Sequence, residues 1–397
     1  MTRARSPEAP AEAGKPTLET PESVDPTLVT DAAELARWCR RWRRCDAVAV
    51  DTEFVRERTF YPILGLVQLN DGDEVVLVDP VAIDDLAPLG ELLADPSVTK
   101  VMHSCGEDLE VFYHRFGHFP EPVFDTQIGA ALAGLGFSLG YASLVAELCG
   151  VELPKGETRS NWVRRPLRDS QLRYAAWDVV YLLPAYRKLE AELRRRGREG
   201  WVEEEVAELF DAERFLPDPE TAYLQAAHSS MSRRELAILR NVAGWRERQA
   251  RKRDLPRNFV LPQRALPEIA RRKPRDRRQL ASVSGLRDAD RKRHGKTLLR
   301  LVAEAVELPD SELPPKLRRP VDLAPHRREV DRLRKAVARK AEELDLPPEL
   351  LATRRVAEGM VRRAHGDDGP VVPESTTPWR RRILAELAER VLAPADL

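Results

Sequence analysis

The sequence predicts an α/β domain followed by helical bundles, an α/β plus all-α architecture. Three observations carry this. Short apolar runs of strand character fall before residue 103, and none recurs after residue 227. The charge divides at the same place, although the 397 residues sum to zero. Residues 1–227 carry 25 Lys and Arg against 40 Asp and Glu, a net of −15, whereas 228–310 carry 22 against 10, a net of +12. Residues 311–397 are nearly balanced, 18 against 15. An acidic part joined to a basic part suits a phosphate-handling enzyme with a separate nucleic-acid grip.

Residues 1–26, rich in Pro, Glu, Ala, Ser and Thr, lack the apolar core of a signal peptide and read as a disordered tail on a cytoplasmic protein. Segment 47–51 is an apolar run ending in Asp51, the pattern of a core strand. Two more strands follow at 65–69 and 74–79, joined by Asn70-Asp71-Gly72-Asp73, which has hairpin-turn chemistry. A helix is expected near 84–94, a strand near 99–102 and a helix near 107–116. From Asp125 to about Arg198 the apolar spacing is helical, with a loop at 153–156. An acidic helical linker, 201–227, ends the domain that spans 27–200. Segments 232–252, 263–272, 277–283 and 289–306 read as successive helices of a domain at 228–308. A Pro-rich joint at 308–325 leads to a further helical domain, 318–397, with a polar loop at 366–373.

Several function classes fall away. No run of 18 apolar residues exists, so no membrane helix is expected. Cys39, Cys45, Cys105 and Cys149 form no C-x-x-C pair and read as reduced thiols. His114 and His118 have zinc spacing, but Gly117 and Pro120 interrupt the helix and no third ligand is placed. Gly295-Lys296-Thr297 lacks the upstream glycine of a phosphate-binding loop, because position 290 is Asp290; no nucleotide cofactor is expected.

The remaining chemistry lies in carboxylates. Alternate strand residues share a face, so Asp51 and Glu53 point the same way. Hard oxygen ligands of this kind select Mg²⁺ or Mn²⁺. Asp108 opens a predicted helix, where a carboxylate also complements the helix dipole, and Glu107 competes with it for a metal role. Tyr174 and Asp178 are four apart on a helical stretch and share a face. An Asp on that largely apolar side needs a partner, which a metal supplies. Each of these residues alone has an ordinary structural explanation.

Together their order and spacing resemble the DEDDy 3′→5′ exonuclease superfamily. The motifs are Asp51-Thr52-Glu53-Phe54, the segment from His103 to Leu109, and Tyr174-x-x-x-Asp178. Phe124-Asp125-Thr126-Gln127, Ser138-Leu139-Gly140-Tyr141, and Ser160-Asn161-Trp162 with Arg165-Pro166-Leu167 narrow the likeness to bacterial ribonuclease D. The resemblance spans about 28–200 and favours Asp108 over Glu107. It implies a ribonuclease H-like fold and phosphodiester hydrolysis with two divalent metal ions, Mg²⁺ or Mn²⁺. Asp51 would bridge both ions, Glu53 and Asp178 would complete the site of the ion that generates the nucleophile, and Asp108 would serve the other. Tyr174 would orient the attacking water. The same resemblance implies contact of Phe54 with the terminal sugar or base, and makes Gln68, His103, Lys155, Arg159 and Arg165 candidates for the phosphate path.

Residues 228–308 resemble the HRDC domain of ribonuclease D and some helicases, through Arg233-Arg234-Glu235-Leu236, Trp245-Arg246, Arg253-Asp254-Leu255-Pro256-Arg257 and Arg293-His294-Gly295. The last domain looks like a second copy, with Trp379-Arg380 echoing Trp245-Arg246. The expected partner is RNA with a free 3′ end, such as a tRNA precursor. The expected products are nucleoside 5′-monophosphates. The alternatives are a DEDDy DNA exonuclease or a catalytically silent nucleic-acid-binding protein.

Overall fold

A computed structural model describes residues 24–154 and 160–392. The expected tail lies almost wholly outside them.

The α/β domain is built on one six-stranded sheet. Its strands are β1 (Thr27–Val29), β2 (Ala47–Val55), β3 (Ile63–Asn70), β4 (Val75–Val78), β5 (Thr99–Met102) and β6 (Val123–Asp125), in the spatial order β1-β4-β3-β2-β5-β6. The antiparallel ladder β2–β3–β4 forms the centre, and β5 and β6 add to it in parallel. The expected strands are all present, while β1 and β6 are too short to show a period in the sequence.

The sheet separates two apolar layers. Val48 and Val50 of β2 face a core built with α1 (Ala32–Trp42), α2 (Ala87–Leu93) and α3 (Gly106–Phe116). Ala47 and Ala49 face the opposite layer, covered by α6 (Asp169–Val180) and α7 (Leu182–Arg196) through Ala175, Ala176, Val179, Leu183 and Tyr186. Two further helices, α4 (Thr126–Leu132) and α5 (Tyr141–Cys149), precede α6.

The acidic segment after the sheet domain holds α8 (Glu199–Ala207) and α9 (Ala212–Phe215). The first helical module follows: α10 (Arg233–Lys252), α11 (Arg257–Val260), α12 (Ala265–Arg272), α13 (Arg277–Ala281) and α14 (Asp288–Glu307). Ser232 caps α10, with the Glu235 side chain returning to the Ser232 amide. This module has its own core, and among the described residues a small apolar cluster joins it to the sheet domain. There Asp254 accepts hydrogen bonds from the amides of Phe60 (2.8 Å) and Tyr61 (3.0 Å), and the Arg257 guanidinium lies 4.7 Å from the Phe60 ring.

The second helical module comprises α15 (Arg327–Glu343), α16 (Pro348–Leu351), α17 (Arg354–Ala364) and α18 (Pro378–Leu392). Its core is continuous with the first layer of the sheet domain, through Val202, Val206 and Phe215. Trp379 stacks on Trp201 with centroids 4.2 Å apart and planes 8° apart. Glu204 accepts from the Trp379 amide and Glu205 from its indole Nε1, at 2.8 and 2.7 Å. Arg198 bridges the carbonyls of Leu132 and Leu344. The expected echo between two Trp-Arg pairs is corrected here. Trp245 sits inside the first helix of its module, whereas Trp379 opens the last helix of the other.

Candidate active site

Strand β2 sets the site. Asp51 and Glu53 continue the face of Ala47 and Ala49, so both carboxylates turn toward α6 at the end of the strand. The register breaks between Glu53 and Phe54, where Gly65 is the extra residue on β3. A Cβ at Gly65 would lie 2.8 Å from the Trp162 carbonyl oxygen and Cβ, so only glycine lets the Trp162 segment pass.

Asp108 arrives from α3 in the helix's first turn, and the segment before it is held in place. Asp125 accepts from the amides of Ser104 (3.1 Å) and Cys105 (2.9 Å) while also capping α4 through Gln127 and Ile128. Ser104 takes a left-handed φ of 55° in this bend. The outcome separates the two competing acids: Glu107 is exposed and Asp108 is buried, accepting a short hydrogen bond from the Thr52 hydroxyl. Helix α6 buries Ala175, Ala176 and Val179 on the sheet, which places Tyr174 and Asp178 along its edge facing β2. The Tyr174 hydroxyl and the Asp178 carboxylate interact there.

The five expected residues therefore converge from three elements. Burial, followed by repulsion from Asp108, Asp178 and Glu53, pushes the Asp51 carboxyl well above the usual carboxylate range. Burial and then Asp178 push Glu53 up to about 8. Burial pushes Asp108 to about 7 against the opposing Thr52 hydrogen bond, and Asp178 to about 7 against the opposing Tyr174 contact. Among the described residues no Lys or Arg forms an ion pair with any of the four. Gln68, directly opposite Asp51 on β3, is fully buried with neither amide atom hydrogen-bonded. Unpaired carboxylates, one buried and three half-buried, beside an unsatisfied amide fit a divalent cation with its waters and suit no anionic ligand alone.

A stability prediction follows. A carboxylate whose folded pKa lies above its unfolded value binds more protons when folded, so its contribution is complete below the unfolded pKa and is lost as pH rises. Metal-free protein should therefore lose stability between about pH 4 and pH 8, up to the value near 8 of Glu53. Thermal melts in EDTA should show this fall, and Mg²⁺ should reverse it at pH 8. A melt insensitive to both pH and Mg²⁺ across that window would refute the assignment.

The expected substrate contacts fare unevenly. Phe54 lies on the sheet face opposite Asp51, half-buried against the first core layer. Gln68 lies beneath Asp51 rather than on an open path. His103 is half-buried with Nδ1 2.9 Å from Thr126 Oγ1, and burial holds its pKa below the ordinary value, so it offers a phosphate no charge. Arg165 needs correction. Its five N–H donors go to Asp79 at 2.6 and 2.5 Å and to the carbonyls of Gly65, Trp162 and Arg164, leaving none for phosphate. Lys155 and Arg159 lie outside the described residues. Sequence reasoning missed Thr52 and Asp125 as supports. It also missed Tyr141, whose hydroxyl donates to the Trp177 carbonyl and accepts from the Tyr181 amide at the end of α6. An Asp directly before a helix, as at position 125, is the one signal available for any of them.

A family model described as 3′-5′ exonuclease matches residues 26–194, and one described as HRDC domain matches 235–302. Ribonuclease D of Pseudomonas paraeruginosa is 40% identical over 370 residues, covering 92% of this chain and 97% of that protein. Ribonuclease D of Escherichia coli is 39% identical over 368 residues, covering 92% and 98%. The crystal structure of the Escherichia coli protein, an exoribonuclease involved in structured RNA processing, is similar with a TM-score of 0.84 at 38% identity, over 92% of this chain and 99% of that one. Likeness of this extent, across sheet domain and both helical modules, shows that the chain belongs to the ribonuclease D family of 3′→5′ exoribonucleases.

Proposed function

We propose that the enzyme trims the 3′ ends of structured RNAs, tRNA precursors among them, releasing nucleoside 5′-monophosphates. One observation carries the chemistry: four carboxylates from β2, α3 and α6, Asp108 buried and the other three half-buried, converge without a cationic partner among the described residues. Asp51, Glu53, Asp108 and Asp178 would hold two divalent ions, Mg²⁺ or Mn²⁺. When bound, such ions lower the pKa of water and neutralise charge building on the phosphate. Thr52 fixes one Asp108 oxygen and so aims the other. Burial, with Asp178 beside it, keeps the Tyr174 phenol protonated by raising its pKa, so it can donate a hydrogen bond that orients the attacking water.

The first helical module supplies the grip. Much of its positive charge is engaged internally: Arg251 and Arg257 pair with Glu247, and Arg287 with Asp290. Arg275, Arg277, Arg278, Lys292, Arg293 and Lys296 are exposed and form no ion pair among the described residues. These belong to α13, the turn before it and the start of α14, where they meet a phosphate backbone through salt-dependent contacts. The last module follows the first in its order of long helix, one-turn helix, shorter helix and long helix, without a counterpart of α13, which supports reading it as a divergent second HRDC-like domain.

The test is a precursor tRNA bearing a 3′ trailer. Wild-type protein in Mg²⁺ should shorten the trailer and release 5′-monophosphates. Tyr174→Phe should keep metal affinity while slowing release by roughly 10²-fold, the scale of a positioned proton-handling group. Release of 3′-monophosphates, or a trailer left intact while generic single strands disappear, would reject the proposal.

A further inference from the structure

A cleft of about 640 Å³ lies in the second helical module, between the Pro-rich joint at 318–321 and α17. Pockets of this size accommodate a small ligand or part of a larger one. Arg355, Gly359, Arg362 and Arg363 line it, at spacings of four, seven and eight residues that share one helical face, and Gly366 lines it from the turn after the helix. The opposite face of α17 buries Ala357, Met360 and Val361. A Cβ at Gly359 would approach Arg363 Nη1 to 3.2 Å, so the glycine leaves room for that guanidinium. Arg318 and Arg319 line the facing wall.

The cleft carries an excess of positive charge, with five arginines in its lining against Asp367 and Asp368. Its two carboxylates are both engaged: Asp368 pairs with Arg318 at 2.5 Å, and Asp367 accepts from the Val321 amide at 2.8 Å. Arg319, Arg355, Arg362 and Arg363 form no ion pair among the described residues, and Arg362 Nε is buried without a hydrogen-bond partner. These arginines line one cleft from two walls. Guanidinium groups gathered in this way match the oxygens of phosphodiesters, which accept paired N–H donors.

We infer that this cleft binds backbone phosphates in the body of the RNA substrate, away from its 3′ end. The inference rests on the reading that the natural substrate is a structured RNA. Because Trp201 and Trp379 lock this module to the catalytic domain, the contact lies at a fixed distance from the carboxylates. It therefore selects RNAs whose body reaches the cleft while their 3′ end occupies the site.

The test uses the full chain carrying Arg355→Ala, Arg362→Ala and Arg363→Ala, with Asp51→Asn added for binding measurements. Affinity for a hairpin with a single-stranded 3′ tail is followed by fluorescence anisotropy over a salt series. The triple variant should bind the hairpin roughly 10- to 100-fold more weakly, with the slope of log affinity against log salt smaller by about 2 to 3. With Asp51 intact, it should trim a short unstructured strand at the wild-type rate and melt at the wild-type temperature. Lysines at the same three positions should restore most of the salt slope. Unchanged hairpin affinity and slope would overturn the inference, as would equal losses on hairpin and short strand. Pyrophosphate binding that disappears in the triple variant while hairpin affinity persists would instead mark a free-anion site, also overturning it. If wild-type protein bound the hairpin no better than the short strand, the structured-substrate reading would fall and take this one with it. Loss of trimming on both strands by wild type would signal failure of the proposed chemistry, a distinct result.

Discussion

Asp51→Asn should reduce degradation of a 3′-hydroxyl RNA in Mg²⁺ by about 10³-fold or more, roughly 4 kcal/mol of barrier. The substitution keeps the side chain's shape and removes the charge at the centre of the cluster, since Asp51 repels Asp108, Asp178 and Glu53 alike. The same change should raise the melting temperature in EDTA, because one of four mutually repelling carboxylates is gone. Opposite signs for activity and metal-free stability form a signature that general unfolding cannot produce. Single-turnover rates and paired thermal melts measure both. A wild-type rate in the variant would remove Asp51 from the mechanism.

Trp379→Ala should destabilise the protein by about 3–5 kcal/mol, the range for truncating a buried tryptophan. The side chain is 1% exposed, covers Trp201, and gives its indole proton to Glu205. Its removal leaves a cavity where two modules share one core and takes one donor from Glu205, which keeps Thr377 and Arg380. Denaturant titration should register the loss, and small-angle scattering should show expansion as the second module detaches. Cleavage of a short single strand should persist below the transition, because β2, α3 and α6 do not touch Trp379. A loss under about 1 kcal/mol with unchanged scattering would mean that the docking is loose. The shared core also limits what truncation can test: a chain ending at residue 227 exposes Trp201, Val202 and Val206. Charge substitutions on the helical modules are the cleaner probe of RNA gripping.

The parts legible in the sequence are those governed by local periodicity. The strand face shared by Asp51 and Glu53 and the helix face shared by Tyr174 and Asp178 follow from repeats of 2 and 3.6 residues, and the structure has both. Periodicity does not fix helix phase at a terminus. The choice of Asp108 over Glu107 came only from resemblance, and its physical basis is Thr52, 56 residues away. Arg165 looked like a phosphate ligand because its partner Asp79 lies 86 residues earlier. Glu204 and Glu205 fall in the segment read as an acidic helical linker, yet they receive the start of α18 from about 175 residues downstream. In each failure the deciding contact is long-range, which no window along the chain can contain.

The pairing of Trp201 with Trp379 also orders events during synthesis. Domains emerge from the ribosome N-terminal end first and generally fold as units. Here one apolar face is left uncovered when the exonuclease domain and α8 emerge, because Trp201, Val202 and Val206 share their core with the second helical module. The first helical module, with a separate core, can finish folding while the domain ahead of it is still incomplete. A chain that stalls before residue 379 therefore presents the uncovered Trp201 face of α8 to proteases and chaperones, so the nuclease domain reaches full stability only once α18 has been made.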